Sequence, residues 1–323
     1  MTYKETEWIE RPRVGISTCL LGENVRYDGG HKLDRFLRDT LGTFVDYVPV
    51  CPEVEAGFPT PREAFHLEGD IKRPRLVTSR TNVDHTERME NWAMERVSQL
   101  EKDNLCGFIF KSGSPSSGME RVKVKNEKGM PDKKGIGIFA RIFMERFPLL
   151  PVEEEGRLHD MDLRENFIER IFTLMRWKEM VRTSPTMGKL VDFHTRHKML
   201  ILSHNQQMYR EMGRFVAGGA KRPGKELYQR YAEFLMISMK YKATPRKNSN
   251  VLMHAMGYFK ETLSSDEKQE MIQVIDDHRL GLTPLIVPIT LLNHYVRKYD
   301  QHYLSEQVYL NPHPMELQLR NHV

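Results

Sequence analysis

Residues 13–30, RVGISTCLLGENVRYDGG, decide the fold of the first half of the chain. RVGIST (13–18) is a short apolar run that ends directly at Cys19, and the Gly, Asn and Asp residues after it mark a loop. The same construction recurs at FVDYVPV (44–50), which runs straight into Cys51, with a helical pattern over residues 32–41 between the two runs. A third run, LCGFIF (105–110), follows a helical stretch over residues 82–100 and empties into KSGSPSSG (111–118), a loop of Gly and Ser. Strands alternating with helices imply an α/β domain with a small parallel, Rossmann-like sheet, and the ligands of such a sheet collect at the loops leaving the C-terminal ends of its strands. All three singular loops stand there.

Further along, NEKGMPDKKG (126–135) reads as a turn-rich basic connector, GIGIFARIFMERFP (135–148) as a helix that stops at Pro148, and residues 149–152 as a last short strand. The acidic, glycine-containing EEEGR (153–157) sets a boundary near residue 155. Beyond it, FIERIFTLMRWKEMV (167–181) and VLMHAMGYFKETL (251–263) carry long helical periodicities with no good alternating strand. The expected organisation is therefore an α/β domain over residues 1–155 and an all-α domain over residues 156–323.

The chain has 323 residues, 39% of them hydrophobic and 29% charged, which excludes disordered and fibrous classes. No apolar run approaches the roughly 18 residues a membrane span needs, and the best stretch, residues 282–292, contains Pro284 and Pro288. MTYKETEWIERPRVG at the N-terminus carries charge where a secretory signal needs an apolar run, so a cytoplasmic protein is expected. Three cysteines are too few and too odd in number for a disulfide framework, which leaves metal, catalytic or plain core roles open. A net charge of +5 permits a polyanionic partner without requiring one. Two cysteines that each end a strand favour a shared metal site.

The segments Cys19, Leu20, Gly22, Arg26, Tyr27, Asp28, Gly29, then PVCPE (49–53) followed by Gly57, Pro59, Thr60, Pro61 and Arg62, and finally SPSSG (114–118) together resemble the thiouracil desulfidases, the TudS-like family, over residues 12–152. FHTRHKMLILSH (193–204), NVLMHAMGYFK (250–260) and the tail over residues 291–321 resemble the helical module of YbgA-like proteins. Joined, the two halves resemble fused desulfidases that convert 4-thiouridine in tRNA to uridine. The resemblance implies a [4Fe-4S] cluster with three protein ligands, at Cys19, Cys51 and the position of Ser117, whose remaining iron can hold the soft sulfur of a thiocarbonyl. It also implies that Glu53 activates water and that Ser114 assists proton transfer. Ser117 departs from the family, which has cysteine there. A serine hydroxyl is barely ionised near neutral pH, so the cluster is expected to be absent, incomplete or labile and the activity impaired. Cys106 could replace the missing ligand or be a core thiol.

Arg26, Tyr27 and Asp28 could orient a base or phosphate, although Asp-Gly-Gly is also a simple tight turn. Lys111 could meet a phosphate or stay solvated. His194, His197 and His204 lie roughly on one helix face, where they could bind metal or, more simply, pack. Lys221, Arg222, Lys225, Arg230, Lys242, Arg246 and Lys247, interleaved with Tyr228, Tyr231 and Tyr241, suit RNA but equally a solvated face over buried tyrosines; the resemblance tips them toward tRNA. Two other readings stay open: desulfidation of free thiouracil or thionucleotides, and an RNA-binding protein with a vestigial cluster site.

Overall fold

The computed structural model describes residues 11–126, 128–183, 185–219 and 224–322. The chain forms two compact units, divided between His159 and Asp160. The first runs β1 (Arg13–Ser17), β2 (Asp46–Val50), α1 (Pro52–Glu55), β3 (Phe65–Glu68), β4 (Arg75–Thr78), α2 (Thr86–Leu100), β5 (Gly107–Phe110), β6 (Val122–Lys125), β7 (Pro131–Gly135), α3 (Ile138–Arg146) and β8 (Val152–Glu154). Strands β2, β1, β5 and β8, in that order, make a four-stranded sheet in which every neighbour is parallel. This is the parallel sheet that the apolar runs imply. Val14 and Ile16 of β1 and all four residues of β5 are buried, as strands covered on both faces must be. The Phe108 and Phe110 rings of β5 pack on Phe139 and Phe143 of α3 at centroid separations of 4.7–6.2 Å.

The second sheet, ordered β4, β3, β6, β7 and mixed in direction, is not foreseen by the sequence reading. The stretch after β6 is not a mere connector: Pro131–Gly135 pairs antiparallel with β6 as β7, and the Asn126 N–H donates to Met130 O at 2.9 Å. The helical pattern over residues 32–41 is realised only as a short wide-pitched turn at Phe36–Thr40. Phe58, Leu67, Leu76, Met89, Val122, Val124 and Ile138 form the core beneath the second sheet.

The second unit is helical: α4 (Met161–Thr183), α5 (Met187–His204), α6 (Gln206–Gly219), α7 (Lys225–Ser238), α8 (Pro245–Met256), α9 (Ser265–Arg279), α10 (Ile286–Lys298) and α11 (His302–Ser305). Its helix starts are written in the sequence. Thr186 and Thr244 accept N–H bonds from the residues three further on, Pro245 opens α8, and Ser264 with Glu267 forms a reciprocal capping box on α9. Helix α4 is buried around its whole circumference from Asn166 to Leu174. No helix among the described residues is long and apolar enough to cross a membrane.

Candidate active site

Three loops leave one edge of the parallel sheet. Cys19 lies in the turn Thr18–Leu21 after β1, and Cys51 directly follows β2. The register pairs Ser17 with Val50, which aligns the ends of β1 and β2. The third loop is tied in by the Lys111 N–H, which donates to Ser17 Oγ at 2.9 Å.

Glu53, in the first turn of α1, joins these loops. Its Oε1 accepts from Ser116 Oγ at 2.5 Å, while Oε2 lies 3.7 Å from Cys51 Sγ and 3.7 Å from Arg62 Nη2. Ser116 Oγ is 3.0 Å from Ser114 Oγ, which accepts the N–H groups of Ser116 at 3.3 Å and Ser117 at 3.1 Å. Cys51, Glu53, Ser116 and Ser114 are thus linked in one unbroken series. Arg62 staples the rim: its N–H donates to Tyr27 O at 2.8 Å and its Nη1 to Val25 O at 3.0 Å. Burial, followed by the charge of Glu53, pushes the Cys19 thiol up to about 11 and the Cys51 thiol up to about 12. Both are neutral thiols at pH 7, of the kind that a bound metal deprotonates.

Packing sets the Ser loop rigidly. A Cβ on Gly118 would come within 2.4 Å of Val122, and one on Gly137 within 2.5 Å of the Ser116 carbonyl, so neither position admits a side chain without displacing the loop. Glu154 Oε1 accepts from Met119 N at 2.9 Å, and Glu155 accepts from Ser112 N at 2.7 Å. Ser117 is 3% exposed, and its hydroxyl makes no hydrogen bond with another described residue. Taken as a donor set, Cys19, Cys51 and Ser117 offer two thiols and one alcohol, which does not fit a cluster held by three thiolates.

The other expected residues fall into different roles. Cys106 is buried at the opposite edge of the sheet: its N–H donates to Arg13 O at 2.7 Å, at the start of β1. With strands rising about 3.3 Å per residue, it cannot reach Cys19 and Cys51 as a third ligand. Arg26 Nε pairs with Asp28 Oδ1 at 3.4 Å, and Asp28 Oδ1 also accepts Gly30 N at 3.0 Å, so the tight turn is real; Tyr27 is 45% exposed beside it. Lys111 Nζ is engaged by Glu155 at 2.5 Å and Ser112 O at 2.9 Å, a structural anchorage in place of an open ammonium. Ser116 and Glu155 are absent from the sequence-based site; only Ser116's position in the Ser loop hinted at it.

In the second unit, His194 Nδ1 meets Tyr231 OH at 3.1 Å, His197 Nδ1 meets Phe193 O at 2.8 Å, and His204 lies between Glu169 Oε2 at 3.0 Å and Tyr241 O at 2.6 Å. The three are spent on packing and do not converge on a metal. Lys221 and Arg222 lie outside the described residues. Lys225, Arg230 and Arg246 are exposed, Arg230 pairing with Glu233 at 2.6 Å. Lys242 pairs with Asp162 at 2.9 Å, and Lys247 Nζ donates to His204 O and Lys242 O, both at 2.8 Å. Tyr231 is buried, whereas Tyr241 is 52% exposed.

Comparison with known proteins finds two family models along the chain, 2-thiouracil desulfurase over residues 14–155 and a protein of unknown function (DUF1722) over residues 198–314. The uncharacterised protein YbgA of Escherichia coli K12 is 35% identical over 153 residues, 47% of this chain and 90% of that protein. YbbK of Bacillus subtilis 168, also uncharacterised, is 30% identical over 108 residues, 32% of this chain and 71% of that protein. A solved [4Fe-4S]-dependent thiouracil desulfidase, TudS, is 28% identical, covers 49% of this chain and all of its own length (100%), and superposes with a TM-score of 0.41.

Proposed function

The chain belongs to the 2-thiouracil desulfurase family through its first unit and to the YbgA family through its second, and on that premise we propose that it is built as an iron–sulfur-cluster-dependent desulfidase that converts 4-thiouridine in tRNA to uridine, with an activity that Ser117 impairs. One observation carries the reading: Cys19 and Cys51 stand at the ends of adjacent parallel strands, and Glu53 links Cys51 to Ser116 and Ser114.

The protein's own residues supply the acid–base work. Replacing sulfur by oxygen at a ring carbon requires water to attack that carbon and lose a proton, and Glu53 is the acceptor for it. Ser116 and Arg62 fix the orientation of Glu53, one by a hydrogen bond and one by charge. Ser114 accepts two backbone N–H groups, and because Ser116 gives its one hydroxyl hydrogen to Glu53, Ser114 donates its own to Ser116 Oγ; assisting proton transfer requires that hydrogen to turn from Ser116 toward a ring nitrogen. Positions 19, 51 and 117 would hold the cluster in a chain with cysteine at all three. With serine at 117, no chemistry is assigned to a cluster here.

The tRNA side of the proposal is supported by the second unit, where exposed Lys225, Arg230 and Arg246 can meet phosphates and exposed Tyr241 can stack on an unpaired base. The experiment is to reconstitute full-length Ser117→Cys protein with iron and sulfide under anaerobic conditions and compare kcat/KM on 4-thiouridine-containing tRNA and on 4-thio-UMP. A clear preference for tRNA is expected. An equal or greater value on the free nucleotide contradicts the tRNA assignment, and salt-dependent tRNA binding without any sulfide release contradicts the enzyme reading altogether.

A further inference from the structure

The desulfidase reading leaves a buried polar cluster in the second unit without a task. Glu165 and Glu169 stand one turn apart on α4, so their carboxylates share a face. Arg320 is shared between them, with Nε 3.1 Å from Glu165 Oε1 and Nη2 2.9 Å from Glu169 Oε1. His204 Nε2 lies 3.0 Å from Glu169 Oε2, and His322 Nε2 lies 3.8 Å from Glu165 Oε2. Each carboxylate has about four lone-pair sites, so these partners leave acceptor capacity on both.

The third member is His313, which is 5% exposed. Its Nδ1 is 3.2 Å from Pro314 O; a carbonyl can only accept, so Nδ1 carries the hydrogen and Nε2 presents a bare lone pair. That Nε2 is buried and has no partner. A ring nitrogen of His313 and an oxygen of each glutamate all lie within 4.8 Å of one another. Metal-binding histidines have this arrangement: one nitrogen is locked by an N–H to a carbonyl, and the other is free to coordinate. An unpartnered buried nitrogen is costly, and a Lewis acid between it and two carboxylates would remove that cost.

Beside the cluster is a pocket of about 70 Å³ that Glu165, Glu169 and Arg320 also line, together with His278 and Thr283. His278 Nε2 and Thr283 Oγ1 are buried there without partners, so the pocket has unused capacity for a polar occupant such as water. Three protein ligands next to space for water is the pattern of an open metal site. Imidazole with two carboxylates favours first-row transition ions over calcium or magnesium, which prefer oxygen alone.

We propose that the second unit binds one divalent transition-metal ion through Glu165, Glu169 and His313. The proposal is independent of the desulfidase reading, because none of these residues belongs to the sulfur site. To test it, full-length protein carrying Cys19→Ser, Cys51→Ser and Cys106→Ala, which removes all three thiols, is equilibrated with Zn²⁺ or Co²⁺, passed through a desalting column and assayed for metal. One equivalent retained per chain is expected, together with a higher Tm than in EDTA. Adding His313→Gln should weaken binding at least tenfold. A thiol-free chain that retains no metal, or one whose affinity is unchanged by His313→Gln, overturns the proposal and leaves the cluster as an ion-paired core. If His313→Gln fails to fold, X-ray absorption of the Co²⁺-loaded thiol-free chain decides: mixed imidazole and carboxylate ligation supports the site, and a fully hydrated ion overturns it.

Discussion

The two oxygens of Glu53 are divided between different tasks: Oε1 accepts the Ser116 hydroxyl at 2.5 Å, and Oε2 faces Cys51 and Arg62. If Glu53 is the general base proposed above, a carboxylate held this way should be sensitive both to its own removal and to that of its partner. In a reconstituted Ser117→Cys background, Glu53→Gln should lower kcat for desulfidation by about 10²-fold or more, the usual worth of a positioned base, while iron content stays unchanged. Loss of iron along with turnover would instead make Glu53 part of cluster binding. Ser116→Ala removes one hydrogen bond to a charged group, worth about 1.5–3 kcal/mol, and should cost roughly ten- to a hundredfold in kcat, with Ser116→Thr recovering part of it. Unchanged kcat in Ser116→Ala would show that Arg62 alone holds Glu53. The residue types were legible in the sequence to different degrees. Cys19 and Cys51 stand out because each ends an apolar run, whereas Glu53 and Ser114 acquire roles only through resemblance to a family. Ser116 stayed hidden because a hydroxyl's partner 63 positions away leaves no local pattern.

Among the elements, the parallel sheet was legible and the mixed sheet was not, for a physical reason. β1 and β5 are covered on both faces and read as unbroken apolar runs. FHLE, RLVT and VKVK are four residues long and carry charge on the uncovered face, and β7 (PDKKG) is mostly exposed, so its composition is that of a loop although its backbone completes a ladder. The packing of Gly137, which leads α3, against the Ser loop gives an element-scale prediction. Gly137→Ala forces a methyl into the Ser116 backbone and should destabilise the fold by about 1–3 kcal/mol, read as a lower denaturation midpoint at constant m-value, with a larger fractional loss of activity than of stability. A fully stable, fully active Gly137→Ala chain would show that the loop needs no such packing. Helix α5 makes a second prediction. Burial pushes His194 down to about 4 and His197 down to about 3, from an ordinary value of 6.5. Between about pH 6.5 and 4 the unfolded chain therefore binds protons that the folded chain refuses, so stability falls as pH falls through that window. Thermal melts should show Tm dropping by several degrees from pH 7.5 to 5.5, less steeply in His197→Gln; a flat profile would contradict the burial of these rings.

For the whole molecule, the two-unit organisation was legible because helical periodicity replaces short apolar runs after residue 155, and the units divide at His159. What the sequence did not reveal is how its basic stretch is used. Lys242 and Lys247 are committed to Asp162 and to carbonyl groups, while Lys225, Arg246 and Arg230, the last paired with Glu233, are exposed. Replacing these three by alanine should weaken tRNA binding and reduce its salt slope by about one for each phosphate no longer neutralised, whereas an unchanged slope would remove these residues from the tRNA proposal. The central claim is that the sheet edge is a sulfur site lacking one ligand, and anaerobic iron and acid-labile sulfide content, measured alongside sulfide release from 4-thiouridine in the native chain and in Ser117→Cys, tests it most directly. The account expects a full [4Fe-4S] complement and sustained sulfide release only after the exchange to cysteine; no gain in either quantity would contradict it.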